Sequence, residues 1–198
     1  MKFMGIEFTK ALNEAMALAA FHDGSLVLKS NAGSDYFNNP DGITFNNTAP
    51  VLLSRVDNTK PFTFASRVTP AFFETYDAGA VYVYANDKLW MKFALERDER
   101  GRKRVVTVRT IDTSDDNNHD IVDRVSVYLK VSSDTRTIGY YYSLDREEWQ
   151  LVRLYRNDYP SDIWVGVSVQ SPIGNGTTAT FDECLLTESS VSDFRKGI

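Results

Sequence analysis

Between Asp77 and Thr110 the side chains alternate in character at every second position, and turn-forming residues interrupt the alternation twice. The runs are Asp-Ala-Gly-Ala-Val-Tyr-Val-Tyr-Ala, Leu-Trp-Met-Lys-Phe-Ala-Leu-Glu and Lys-Arg-Val-Val-Thr-Val-Arg-Thr, with Asn86-Asp87-Lys88 and the charged stretch Arg97 to Arg102 between them. Period two, β-branched and aromatic enrichment and short polar gaps predict a three-strand antiparallel meander. In its middle strand Leu89, Met91, Phe93 and Leu95 share one face, and Trp90, Lys92, Ala94 and Glu96 share the other. The first face reads as core. The second carries an aromatic ring, an ammonium and a carboxylate in line.

The same pattern extends over the rest of the chain. Runs at 25–30, 51–56, 62–68, 125–131, 137–143, 148–154, 163–171 and 177–186, added to the meander, make about eleven strands with turns between them, the pattern of a sandwich or barrel. Two polar stretches, 31–47 and 112–120, read as long loops, and loops of that length often carry function. Tyr36 and Phe37 sit in the first, His119 in the second. Near the N-terminus Leu12, Ala15, Met16, Ala19 and Ala20 have helical spacing after a possible cap at Thr9, so a short helix is expected over 8–21. No repeat, linker or low-complexity tract divides the chain, and one domain over 1–198 is expected.

Composition narrows the partners. A hydrophobic content of 42% with 25% charged residues supports a full core,. The net charge of -5, with basic residues scattered among acidic ones, argues against nucleic acid and anionic membranes as partners,. Cys184 is the one cysteine, so no intrachain disulfide can form. It lies in a strand-like run and is expected to be buried and structural. No signal sequence or run of about 20 apolar residues is visible, and a cytoplasmic location is expected. Signatures for phosphate, dinucleotide and zinc sites are absent, so neither cofactor nor metal is expected. Calcium would require oxygens from Asp35, Asp41, Asp182 or the Asp115-Asp116 pair, which read as turn residues.

Two chemistries remain open for the polar face of the meander. Trp90, Tyr82, Tyr84 and Tyr36, with Lys92 and Glu96, suit stacking on sugar rings and hydrogen bonding to their hydroxyls. Alternatively Glu96 works with a second acid, Glu74, Asp77 or Asp145, in glycoside hydrolysis. The simplest account is that Lys92 and Glu96 form ion pairs on an ordered sheet. Trp149 and Trp164, in otherwise apolar strands, read as core fillers.

Several segments also carry a family resemblance. Asp77 to Glu96 is similar to the "AG-L-x-x-Y-x-D-x-x-x-W-x-K-x-G-x-E" block of the DUF1349, or regulation-of-enolase, family. Ser34 to Phe37 resembles its "TDFW" segment and Arg104 to Thr107 its "SVVT" segment. Tyr142 to Trp149 resembles "YSxDGxxW", and Gly166 to Gly176 resembles "GxxxxSPxGxG". The blocks keep their order over about residues 20 to 187. Ala94 stands where the family usually has Gly, Tyr36-Phe37 replaces Phe-Trp, and Arg146 replaces a turn Gly. The resemblance implies an all-β fold, a concanavalin A-like antiparallel β-sandwich (jelly roll), without implying a reaction. The family name further suggests a cytosolic role in controlling carbohydrate metabolism, and the leading expectation is a non-enzymatic regulator that binds a sugar-like or metabolite ligand or a metabolic enzyme partner.

Overall fold

A computed structural model describes all 198 residues, and every regular element in it is a strand. In chain order these are β1 (Lys2–Phe3), β2 (Ile6–Glu7), β3 (Lys10–Leu12), β4 (Ala19–His22), β5 (Ser25–Lys29) and β6 (Tyr36–Asn38). Next come β7 (Phe45–Asn47), β8 (Val51–Asp57), β9 (Phe62–Pro70), β10 (Ala78–Asn86), β11 (Leu89–Arg97) and β12 (Lys103–Ile111). The last six are β13 (Thr113–Ile121), β14 (Val127–Ser133), β15 (Thr137–Ser143), β16 (Gln150–Arg156), β17 (Asp162–Gln170) and β18 (Thr178–Thr187). No helix is long and apolar enough to cross a membrane.

Fourteen of the strands form two seven-stranded antiparallel sheets. The first runs β13-β12-β11-β10-β17-β8-β3, the second β16-β15-β14-β9-β18-β5-β4. All the runs with period-two alternation are strands, and the meander holds its expected order, with Trp90 opposite Tyr84 and Thr110. The sheets form a sandwich. Val81, Val83, Met91, Phe93, Leu95 and Val167 from the first sheet meet Phe64, Leu129, Val131 and Phe181 from the second in one buried cluster. Each such side chain contributes about 1.5–3 kcal/mol by leaving water. Cys184 belongs to the same cluster, and burial pushes its thiol up to about 11, an inert state,.

The N-terminal helix is not there. Lys10–Leu12 instead pairs with Val51–Leu53 at one sheet edge, and Ala19–His22 pairs with Ser25–Leu28 at the edge of the other. Isolated helices of this length are marginal, whereas two sheet edges offer unpaired backbone groups. Asn13 and Glu14, both at positive φ, make the corner between them. Asp23-Gly24, at φ 48 and 75, closes the two-residue hairpin, the geometry that an Asp-Gly pair favours,.

Three further expectations are corrected. The stretch 112–120 is mostly the edge strand β13, whose polar sequence suits an edge facing water,. The stretch 31–47 contains the small β6–β7 hairpin. Trp149 and Trp164 are half-buried on outer faces, where Lys130 and Lys10 lie over their rings; the fully buried tryptophan is Trp90.

At Gly166, β17 and β8 approach so closely that a Cβ would run into the Leu52 carbonyl. Because the obstacle is backbone, it cannot rotate away. Gly166→Ala should therefore lose about 3 kcal/mol or more of unfolding free energy in urea titrations. A loss below about 1 kcal/mol would mean that the two strands can separate without penalty.

Candidate functional site

The first sheet has a second covered face. Tyr82, Tyr84, Trp90, Ala94, Val106 and Val108 on its outer side form a separate cluster with Tyr36, Ala49, Val51 and Leu53. The segment 31–50 supplies the cover. Ala78, Ala80 and Ala94 leave room for the rings, so Tyr36 stands edge-on to Trp90 with centroids 5.2 Å apart,. Asp87, in the β10–β11 turn, ties this block together. Its Oδ1 accepts from the Tyr36 and Tyr84 hydroxyls at 2.7 and 2.6 Å. Its backbone carbonyl accepts from Trp90 Nε1 at 3.3 Å and Asn38 Nδ2 at 3.1 Å. The two phenol donors hold the Asp87 carboxyl below its usual range,.

Trp90 is 0% exposed, and none of Trp90, Tyr82, Tyr84 and Tyr36 lines the cleft beside them. Lys92 and Glu96 do. One and three residue pairs beyond Trp90 along the strand face, they floor a cleft of about 230 Å³. Val108 and Asp116, in register with Lys92 on β12 and β13, and Val106 beside Ala94 extend that floor, Asp35 and Phe37 come from the covering segment, and Tyr76 and Glu99 complete the lining. The six candidate residues are thus split into a packed aromatic support and a polar floor.

Lys92 is 2% exposed and uses all three ammonium hydrogens. They go to Gln170 Oε1 at 2.7 Å, Asp35 Oδ1 at 3.0 Å and the Tyr36 carbonyl at 3.1 Å. Gln170 Nε2 in turn donates to the Tyr76 carbonyl at 3.1 Å and to Glu96 Oε2 at 3.3 Å. The amide orientation is forced, because an ammonium only donates and a carbonyl only accepts. A relay therefore runs Glu96–Gln170–Lys92–Asp35 across the floor. Glu96 is 9% exposed, and its Oε1 has no partner in the protein. Burial pushes its carboxyl up to about 8; the charge of Lys92 opposes that rise, while Asp116, Asp35 and Asp98 add to it. Burial likewise raises Asp116.

The acids that sequence reasoning paired with Glu96 lie elsewhere. Asp77 is sealed by Ser171 Oγ and the Phe73 and Glu74 amides, and Asp145 caps the β15–β16 turn. Glu74 packs against Gly174 and does not line the cleft. Asp35 and Asp116 take their place. Their sequence signal was two acids in polar stretches, indistinguishable from turn residues. No cluster of three or more His, Cys, Asp or Glu side chains is placed to hold a metal.

A family profile described as "Protein of unknown function (DUF1349)" matches residues 12–189. No curated protein matches the chain. Among solved structures, a functionally unknown protein from Saccharomyces cerevisiae is similar with a TM-score of 0.82 and 22% identity, over 92% of this chain and 97% of the other. Lectin I-B4 from Griffonia simplicifolia is similar at TM-score 0.58 and 12% identity, over 86% and 90%. A xylan beta-1,4-xylosidase from Bacillus halodurans is similar at TM-score 0.64 and 16% identity, over 84% of this chain but 33% of its own. The chain spans about a third of the xylosidase. At these identities the likenesses show a shared β-sandwich fold of the concanavalin type.

Two substitutions separate the roles of the floor. Lys92→Met strands a carboxylate and two other acceptors, and should cost about 3–5 kcal/mol of stability at pH 7. Glu96→Gln acts through pH. With a folded pKa near 8 against an ordinary 4.5, Glu96 contributes stability below about pH 4.5 that is lost as pH rises through about 8,. Urea unfolding should show Glu96→Gln gaining on the parent protein between pH 5.5 and 8.5. A pH-independent difference would place Glu96 in solvent rather than in a dry floor.

Proposed function

The chain belongs to the DUF1349 family, and from that premise we propose that it is a binding protein whose outer-sheet cleft takes a sugar-like, polyhydroxylated ligand. The observation that carries the reading is the Glu96 carboxyl, nearly dry yet with one oxygen unclaimed, at the floor of a cleft rich in acceptors. Sugar hydroxyls both donate and accept: Asp35 and Asp116 accept from them, the neutral Glu96 carboxyl donates through its unclaimed oxygen, and Phe37 and Tyr76 offer apolar surface to ring C–H groups,. The buried aromatic block beneath segment 31–50 serves as a rigid foundation rather than as the stacking surface. A volume of about 230 Å³ suits one sugar ring rather than a long chain. The family resemblance supports a regulatory role in carbohydrate metabolism, in which an occupied cleft signals to a metabolic enzyme; the single cysteine agrees with a cytoplasmic setting.

A second reading has its own observation. A carboxyl that keeps its proton to about 8 is suited to be a general acid,. With Asp35 or Asp116 as the other carboxylate, the cleft would hydrolyse a glycoside. Gln170, which donates to Glu96 Oε2, would then hold the acid in place.

Calorimetric titration with a panel of monosaccharides, disaccharides and sugar phosphates tests the binding reading. At least one neutral sugar should bind, and Asp116→Asn or Glu96→Gln should weaken it by about tenfold or more, equal to about 1.4 kcal/mol. Val108→Trp, which fills the cleft, should abolish binding. If sugars bind all three variants as they bind the parent protein, the cleft is not the site. Release of nitrophenol from aryl glycosides that disappears in Glu96→Gln would favour the enzyme.

A further inference from the structure

The outer face of the second sheet holds a separate cavity, of about 430 Å³. Its wall is the segment that follows β18 and turns back across the sheet. Thr63 Oγ1 donates to the Ser189 carbonyl at 2.7 Å, the Val191 amide to Ser132 Oγ at 2.9 Å, and the Tyr141 hydroxyl to the Phe194 carbonyl at 2.9 Å. Beneath this strap lies Lys130, 8% exposed. Its Nζ donates to the Gly197 carbonyl at 2.6 Å and stands 3.4 Å from the centroid of the Trp149 ring.

No carboxylate pairs with Lys130. Of the acidic groups on the cavity wall, Glu183 is already engaged by Arg146 Nη1 at 2.7 Å, the Tyr128 hydroxyl at 2.9 Å and Arg67 at 3.5 Å, and the terminal oxygen of Ile198 accepts from the Ser192 and Asp193 amides at 2.6 and 2.7 Å. Two of the three Lys130 hydrogens therefore lack an oxygen acceptor in the protein, although one side of the ammonium rests on an indole face. The contrast with Lys92, which has three oxygen acceptors including a carboxylate, is complete. A buried cation without a counter-charge is unfavourable, and burial accordingly pulls Lys130 down to about 8,. An anion entering the cavity would supply what is missing. The remaining lining sets Ala65, Leu185, Val191 and Ile198 beside Trp149, with the hydroxyl residues Thr63, Thr187, Ser189 and Ser190 along the strap side.

We propose that this cavity binds a small carboxylate with an apolar body, its anionic end paired with Lys130 and its hydrocarbon lying along Leu185 and Val191. One unclaimed cation matches one negative charge, since Arg146 is spent on Glu183. That balance, with the apolar walls, favours a carboxylate over a doubly charged phosphate. The proposal is independent of the cleft on the first sheet, which lies on the opposite side of the sandwich.

Hexanoate titrated into the full chain at pH 7 and followed by calorimetry is the test, with hexanamide and inorganic phosphate as controls. Hexanoate should bind at millimolar concentration or below, and both controls at least about tenfold more weakly. Lys130→Met should lose hexanoate binding by about tenfold or more while remaining folded, because relief of the buried charge offsets the lost Gly197 and Trp149 contacts,. Leu185→Asp, at a partly exposed position, should also lose binding, and it keeps the test open if Lys130→Met fails to fold. The proposal is overturned if hexanamide binds as tightly as hexanoate, if phosphate binds more tightly, if both variants still bind, or if hexanoate does not bind up to about 50 mM.

Discussion

The buried ammonium of Lys92 is the contact on which the first sheet's outer layer depends. A cation removed from water needs a full set of oxygen partners, and this one finds a carboxylate and a backbone carbonyl on segment 31–50 and an amide on β17. It thereby fastens an otherwise polar segment to the sheet. Once fastened, the segment lays Tyr36 onto Tyr82 and Trp90, and Asp87 can accept two phenol hydrogens. The cleft opens beside Asp35 and Phe37 of this segment, with Glu96 and Asp116 on the neighbouring sheet surface.

Covering both faces of a sheet changes what its strands must contain. β10 and β11 are buried over nearly their whole length, which is why their outward positions carry alanines and aromatic rings, with Lys92 and Glu96 as the two charged exceptions, each held by hydrogen bonds,. The second sheet is handled differently. Its outer face is crossed by a short C-terminal strap held by Ser132, Tyr141 and Thr63, and the space left beneath is partly open. Each outer face therefore carries a lysine, one fully paired and one not, and the difference sets what each can do. Lys92 organises structure. Lys130 retains unmet hydrogen-bonding capacity.

The cleft floor gains its chemistry from that same pairing. With Lys92 fully committed, it offers no free cation to an incoming group, so Asp35 and Asp116 leave the cleft acceptors and the neutral Glu96 carboxyl adds one donor. Gln170 passes the order of the relay to Glu96, and the Tyr76 carbonyl fixes the amide from its other side. Glu96 is held in one place while the low dielectric around it favours its neutral form,.

Much of the architecture is legible in local pattern. Period-two alternation locates the meander, assigns Met91, Phe93 and Leu95 to the core, and puts Trp90, Lys92 and Glu96 on one shared face, because side-chain direction in a strand depends on parity alone. The burial of Cys184, expected from its strand-like run, does not follow from parity: Phe181 and Cys184 both reach the core because a bulge between Asp182 and Leu185 shifts the register,. Parity does not say what lies over a face. That Trp90 is sealed while Glu96 meets a cleft was decided by segment 31–50, some fifty residues away along the chain, through contacts that leave no periodic trace. The same holds for the N-terminal stretch, whose alanine spacing suits a helix in isolation but yields to open sheet edges, and for β13, whose polar residues become a strand because β12 offers a ladder to pair with. Local sequence determines which way a side chain points; only the tertiary structure, by bringing a distant segment over it, decides whether it meets water, a partner or a ligand.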